Sequence, residues 1–375
     1  MKKIIVILVL FIYPLISFSQ LNSILEYQAC FDMPYEPTYG NSLYYYDGDI
    51  FTSRQNSKGF KLINLSKNSH LLFELPDSLD YWDTFTFAIS KDTVFNYDWN
   101  LFHAYDLNTK KHLFSTVITG CGRNIKVIGS KVMNYGVGFC GKMDHRDQTT
   151  IDLIDLEKKN QQVLKFPNPS AEGFAFFQPS NVMEVDDKYV YIADYDNYRI
   201  LIYDYNANLK DSIIRKPVEW VRTDKEIPEY PLGSYQPALF INKIRPYTAI
   251  TSLIQNISVV SKNRLFIAWS IPNGKEFGYI MRYDLWEKKN GKWMLLASDL
   301  KDFEAKDNDV MDKFSLTIRY YYRVVGDYLL VKNRGTTKEL FEKYQGKTYG
   351  EFQEACDEYF LDHDLKSIIG VYKFK

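Results

Sequence analysis

The chain is poor in the residues from which recognisable catalytic sites are built. Five histidines and four cysteines are spread over 375 residues. No H-E-x-x-H or G-x-S-x-G pattern occurs, so zinc-peptidase and nucleophile-elbow chemistry have no starting point. The S-x-D-x-G-x-T-W box of sialidases is missing too. An excess of charge of one sign is also lacking: 46 basic residues face 47 acidic ones. With no basic run to track phosphates, nucleic acid is not an expected partner. Beyond the first twenty residues no apolar run is long enough to span a bilayer. Helical periodicity is nearly absent.

The histidines are also badly placed for metal. His70 and His112 fall near turns, His363 in one, and His103 in an outer strand. Only His145, within Asp144-His145-Arg146-Asp147, sits in a long loop of interest. Three convergent ligands are needed for zinc, and they are not in view. Asp194-x-Asp196-Asn197 resembles the start of a calcium loop but lacks its glycine and distal glutamate. No metal and no cofactor are expected.

What is present is aromatic and β-branched. Aromatic residues make up 16% of the chain, with 30 tyrosines, a composition that favours strands. The first nineteen residues read as an export leader: basic Lys2-Lys3, an apolar run from Ile4 to Ile16, and a small-x-small site at Ser17-Phe18-Ser19. The expected mature chain, 20–375, is a single domain, secreted or periplasmic, with no stable membrane anchor.

The clearest stretch is Phe177–Ile214. Val182, Val185, Val190, Ile192, Ile200, Ile202 and Ile213 recur at strand spacing, and polar breaks at Asp186–Lys188, Asp194–Asn197 and Asn206–Asn208 divide four short strands. Such a unit cannot bury both faces alone, so it needs copies beside it. Its first break has counterparts at Asp47-Gly48, Lys91-Asp92, Ser130-Lys131, Lys262-Asn263 and Gly326-Asp327. Its third break has counterparts at 65–68, 107–110, 156–159, 285–288 and 361–364. The two series alternate, which predicts an all-β fold of six four-stranded antiparallel blades at 42–76, 84–118, 123–166, 180–215, 255–298 and 314–375. A strand at 24–31 precedes them and is placed to close the ring against the last blade.

Two segments fit no blade. Arg215–Ile254 is a blade-to-blade connection with five prolines. Asn333–Ala355 lies inside blade six, where Thr336-x-x-Glu339 and Thr348-x-x-Glu351 have the pattern of capping boxes, predicting short helices. Strand alternation puts both insertions, and the turn at 142–150, on one face of the ring. The other face keeps tight turns. Candidate ligand-binding residues therefore lie near the channel mouth on the insertion side. They are Asn124, Asn181 and Asn256 at matching positions in inner strands, with Arg123, Arg319, Tyr195 and His145 nearby. The asparagines would bind a polar ligand, hold water, or fix loop backbone. Lys126, Glu184 and Arg323 add charge to the same strands, and a slip of one residue would reverse their direction.

Phe177–Ile214 resembles an NHL-type propeller blade at Pro179, Val182, Val185-Asp186, Val190-Tyr191-Ile192-Ala193-Asp194, Asn197, Arg199-Ile200, Tyr203-Asp204 and Leu209. The whole layout, with its leader, resembles the uncharacterised secreted six-bladed propellers of Bacteroidetes-type bacteria. That resemblance implies a fold rather than a chemistry. The function expected is binding or scaffolding of a peptide, glycan or envelope protein on the decorated face. The alternative is a lyase or hydrolase at the channel mouth. In an oxidising compartment the cysteines would pair. A two-residue turn at Ser130–Lys131 would set Cys121 opposite Cys140, leaving Cys30 for Cys356.

Overall fold

The structure, a computed structural model, describes residues 21–33, 43–56, 59–75, 84–98, 101–118, 124–136, 148–158, 160–170, 182–223, 225, 243, 246–261, 263–272, 279–301, 322–334 and 367–375. After a short turn at Leu21–Ser23 the first strand is β1 (Leu25–Met33). Blade one follows as β2 (Leu43–Tyr46), β3 (Asp49–Asn56), β4 (Gly59–Asn64) and β5 (Ser69–Glu74). Blade two is β6 (Thr84–Ser90), β7 (Thr93–Asp98), β8 (Leu101–Asp106) and β9 (His112–Val117). Blade three is β10 (Asn124–Ile128), β11 (Lys131–Gly136), β12 (Gln148–Asp155) and β13 (Asn160–Pro167). Blade four is β14 (Met183–Val185), β15 (Tyr189–Asp194), β16 (Arg199–Asp204) and β17 (Leu209–Ile214). Blade five is β18 (Leu253–Ser261), β19 (Arg264–Pro272), β20 (Tyr279–Lys289) and β21 (Lys292–Lys301). Blade six contributes β22 (Tyr322–Val325), β23 (Tyr328–Arg334) and β24 (Ser367–Phe374). Six four-stranded antiparallel sheets result, arranged as a β-propeller.

The core is a ring of layers between blades. Phe60 and Phe73 of blade one stack with ring centroids 4.9 Å apart, and Tyr105 of blade two meets both edge-on. Further layers join blades two and three, three to five, five and six, and six to one. Strands inside a blade are thus covered on both faces. In β15 five consecutive residues from Val190 to Asp194 are buried, whereas β17 at the rim buries only Ile213. This is why inner strands read as continuous apolar runs and outer ones do not.

One small device repeats at the third turn. The last residue of the third strand accepts backbone N–H groups from the turn ahead of it. Asp106 Oδ1 takes the N–H of Asn108 and Thr109, Asp155 Oδ1 those of Glu157 and Lys158, and Asp204 Oδ1 those of Asn206 and Asn208. Asn64 Oδ1 does the same for Lys67. These bonds hold the Asp106 carboxyl below its ordinary pKa, and in Asp204 the Asn208 side chain leads the same effect.

Blade five breaks the pattern, and the turn expected at Leu285–Lys288 is absent. Asp284 precedes Leu285 just as Asp106 precedes Leu107, yet β20 runs on to Lys289 and turns at Asn290-Gly291. Those two residues have φ of 50° and 77°, the left-handed pair that a tight hairpin turn requires. Asp284 is instead drawn inward by partners described below.

Blade six departs as well. Its third strand is β24, and its fourth is β1, paired from Leu25↔Phe374 to Met33↔Ser367. No covalent third turn exists there, so 361–364 belongs to the connection between β23 and β24. The leading strand closes the ring as expected, by supplying the outermost strand of the last blade. Lys375 N donates to Ile24 O at 3.0 Å, extending the pairing at its Leu25↔Phe374 end, and Arg264 Nη1 donates to Lys375 O at 2.8 Å, tying that end to blade five.

The hairpin of blade three has a different register from the one expected. Ile128 pairs with Lys131 and Asn124 with Tyr135, so the turn is Gly129–Ser130. Gly129 takes φ of 61°, a position open to glycine at no steric cost. The turn at Ser130–Lys131, from which the Cys121–Cys140 pairing was argued, is therefore not the one observed. Cys121, Cys140 and Cys356 lie outside the described residues. Cys30 is buried in β1 opposite Gly370.

Candidate functional site: the channel and its insertion face

The inner strands β2, β6, β10, β14, β18 and β22 surround the axis, with β22 returning to β2. Among them lies a cavity of about 100 Å³. Its lining runs from Asn124, at the insertion end of β10, to Gly326 in the first turn of blade six. Asn124 and Asn256, both singled out in the sequence, face this one space together with Lys126, Glu184 and Arg323. Tertiary pairing thus turns all three inner-strand charges inward. Tyr44, Tyr135 and Ser258 also line the cavity and carried no sequence signal of their own. Tyr135 stands directly opposite Asn124 in the hairpin, and Ser258 two residues beyond Asn256. Both become visible once the register is known.

Glu184 organises the polar contacts. Its Oε1 accepts the Lys126 ammonium at 3.0 Å, the Tyr135 hydroxyl at 2.7 Å and the Val185 backbone N–H at 2.9 Å. Lys126 also donates to Val185 O at 2.6 Å. Arg323 reaches from blade six to Leu43 O of blade one at 3.0 Å and to Ile125 O of blade three at 3.4 Å. Its guanidinium lies 5.2 Å from the centre of the Tyr44 ring, a favourable cation–π arrangement. Arg323 is therefore a crossbar inside the channel.

Burial, reinforced by Glu184, pushes the Tyr135 hydroxyl well above its ordinary pKa. Burial also raises Tyr44, against the opposing charge of Arg323. Both phenols keep their protons at neutral pH and act as donors, not bases. Replacing Tyr135 with phenylalanine is expected to lower stability by about 1.5–3 kcal/mol, the range for a hydrogen bond to a charged group. Urea denaturation at pH 7 measures it; an unchanged midpoint would mean that Glu184 does not need this donor.

The other predicted residues are placed differently. Tyr195 is buried in the second turn of blade four and belongs to the packing core. Its N–H donates to Ser170 Oγ at 2.8 Å, and its carbonyl accepts Ile254 N–H at 2.9 Å. It does not line the cavity. Asn181, Arg123, His145 and Arg319 lie outside the described residues. So do the segments expected to form helices in Asn333–Ala355, apart from the end of β23. His103 Nδ1 and His112 Nε2 each meet Ser115 Oγ at 2.7 Å in the outer strands of blade two. Among the described residues no three His, Cys, Asp or Glu side chains converge to hold a metal.

In the calcium-like loop start of blade four, one oxygen of Asp194 is held by its own neighbours. Asp194 Oδ2 accepts Asn197 Nδ2 at 3.0 Å and Arg199 Nη2 at 2.6 Å. Burial, then the nearby Asp196, raise the Asp194 pKa to about 7. A carboxyl raised in this way binds its proton more tightly folded than unfolded. Its stabilisation is complete below the unfolded value of about 3.9 and is lost as pH rises toward 7, by up to about 1.4 kcal/mol per unit. Stability should therefore decline between pH 5 and pH 8 in urea titrations, with Asp194→Asn flattening the decline. A parent slope that Asp194→Asn leaves unchanged would reject this assignment.

The start of the first insertion is built into blade five. Arg215 donates Nη1 to Asp284 Oδ2 at 2.5 Å and Nη2 to Asp299 Oδ2. Tyr198 donates its hydroxyl to the same Asp284 oxygen, and Trp286 Nε1 donates to the Tyr198 oxygen at 3.1 Å. The remaining Asp284 oxygen accepts Asp299 N–H at 2.7 Å. Burial still lifts the Asp284 carboxyl above its ordinary pKa, against the pull of Arg215 and Tyr198. Glu219 then grips Arg282 with two bonds of 2.8 and 3.2 Å, while Trp220 packs 5.5 Å from Trp269. Leu253 and Ile254 are already buried residues of β18. Only the middle of Arg215–Ile254 is therefore a true insertion; its ends belong to the packing of blades four and five.

No helix among the described residues is long and apolar enough to cross a membrane. No family model matches the chain, and no curated protein matches it. Solved structures do. A member of the DUF4221 family from Bacteroides vulgatus superposes with a TM-score of 0.55, covering 94% of this chain and 99% of that one at 9% identity. A Bacteroides fragilis protein inferred to be exported gives a TM-score of 0.51, covering 95% and 97% at 10% identity. At such identities the shared property is the fold: this chain is a six-bladed β-propeller with structural neighbours among Bacteroides proteins.

Proposed function

We propose that the protein is an exported binding or scaffold module, secreted or periplasmic, which holds a peptide, a glycan or an envelope protein on one face of the propeller. The observation that carries this reading is the asymmetry of the connections. First turns are short throughout, such as 47–48, 129–130 and 326–327, as are third turns such as 290–291. The long connections 137–147, 215–252, 302–321 and 335–366 are all second turns or blade-to-blade links, which strand alternation assigns to the opposite face. Long loops on a rigid scaffold are where recognition residues accumulate. The fold shared with an inferred exported protein supports the compartment.

The test removes 226–242, joined by a short Gly-Ser linker, and keeps the Arg215–Val221 anchor. The variant should melt like the parent and lose binding to glycan and peptide arrays. Retained binding would move the site elsewhere. A second reading, a lyase or hydrolase in the channel, draws on the meeting of Lys126, Tyr135 and Glu184 within hydrogen-bond distance. Lys126 and Tyr135 both donate to one Glu184 oxygen, as in an ion-paired structural cluster, and Tyr135 holds its proton; binding is therefore the better-supported reading.

A further inference from the structure

The channel cavity has a pattern of open hydrogen-bonding positions that points to a ligand class. Glu184 spends Oε1 on three donors and leaves Oε2 with no bonded group. Lys126 uses two of its three donors, on Glu184 and Val185 O. Asn256 accepts the Ser258 hydroxyl on Oδ1 at 2.7 Å, which leaves both Nδ2–H donors open. Asn256 is 6% exposed and lines the cavity. A buried amide with two open donors calls for a partner.

The charged groups of the described lining are each engaged already. Lys126 and Glu184 neutralise each other at 3.0 Å, and the Arg323 head is occupied with two backbone carbonyls and the Tyr44 ring. What remains is mixed: amide and ammonium N–H donors beside a carboxylate acceptor. An anion would meet Glu184 Oε2, and a cation would meet Lys126 and Arg323. A hydroxyl group both donates and accepts, so vicinal hydroxyls match the set. A volume of about 100 Å³ is roughly three liquid-water shares of ~30 Å³ each, enough for a small polyol or the hydroxylated edge of one sugar ring.

We propose that the central cavity of the propeller binds a hydroxyl-rich ligand, a small polyol or the edge of a terminal sugar, with Asn256 Nδ2 and Lys126 Nζ donating to it and Glu184 Oε2 accepting from it. This deepens the binding-module reading, of which a glycan is one form, and rests on it for the biological ligand. The probes are glycerol, D-glucose, sodium acetate and sodium phosphate, added to the full chain and followed by the side-chain amide resonance of Asn256, identified by its disappearance in Asn256→Asp. Glycerol or glucose should shift that resonance saturably, and acetate or phosphate should not. Asn256→Asp keeps the size and the Ser258 contact while replacing donors by an acceptor, and should weaken polyol binding by about tenfold or more, read by saturation-transfer NMR. Glu184→Gln gives a second variant should the first fold poorly, and should also weaken it. Saturable shifts with acetate or phosphate alone would make this an anion site and overturn the proposal, as would no shift with any probe. Should glycan arrays bind while the Asn256 amide stays still, the cavity proposal fails and the insertion-face reading survives. A shifted amide with silent arrays would support the cavity and remove the insertion-face reading.

Discussion

Replacing Arg215 with alanine should destabilise the fold by about 3–5 kcal/mol, the range seen when one member of a buried ion pair is removed. Asp284 is fully buried and accepts from Arg215 and Tyr198 on one oxygen and from Asp299 N–H on the other. Without Arg215 its charge has lost its counter-ion while its burial is unchanged, so the carboxyl would rise further. The sign of the pH effect follows: a folded-state pKa raised in this way makes the variant regain part of its stability as pH falls. Urea denaturation of parent and variant at pH 5 and pH 8 measures both effects. Lys67→Ala, which removes an exposed partner of Asp49, is the control and should change little. Equal losses in the two variants would refute the claim that the Arg215 cluster anchors blade four to blade five.

Removing residues 21–33 should have the largest effect of all. The chain would lose β1, and with it the outermost strand of blade six and the buried side chains of Leu21, Leu25 and Cys30. The outer edge of β24 would then be open for pairing with another molecule. We expect loss of cooperative unfolding and concentration-dependent association, seen by light scattering. Even the single change Leu25→Ala should lower stability by about 2–5 kcal/mol, the usual result of emptying a buried leucine site. A synthetic peptide of residues 21–33 added to the truncated chain should restore a cooperative melt by strand addition. A truncated chain that melts like the parent would show that the ring closes without β1.

Much of this fold is legible in one dimension because its units are local. Each blade is a meander of adjacent antiparallel strands, and its turns depend on residues next to one another. Asp106, Asp155 and Asp204 end their strands because a carboxylate there caps the N–H groups just ahead. The ranges read for blades one to five from such signals fall within a few residues of the strands observed. Failures came where a local signal had a stronger distant partner. Asp284-Leu285 looks like another capped turn, but Arg215 and Tyr198 hold Asp284 inside a strand. The third turn expected at 361–364 failed as well, because the fourth strand of blade six comes from the other end of the chain. In blade three the error was one of register: Gly129, free to take φ of 61°, moved the turn by one residue and every pairing by two.

The candidate site divides along the same line. Asn124, Lys126, Glu184, Asn256 and Arg323 could be assigned to inner strands from spacing alone, since repeated units place equivalent positions at equivalent depth. Which way each side chain points could not, because strand geometry alternates with period two and a slip of one residue reverses it. Tyr135 and Ser258 entered only with the observed pairing. Sequence by itself determined the number of blades, the run of the strands and the face that bears the long connections, all consequences of neighbouring residues. Only the tertiary structure decided that β1 completes blade six, that Arg215 ties blade four to blade five, and that three charges from three blades meet in one cavity. Those facts rest on contacts between residues far apart in the chain, whose burial in a shared low-dielectric interior sets their strength.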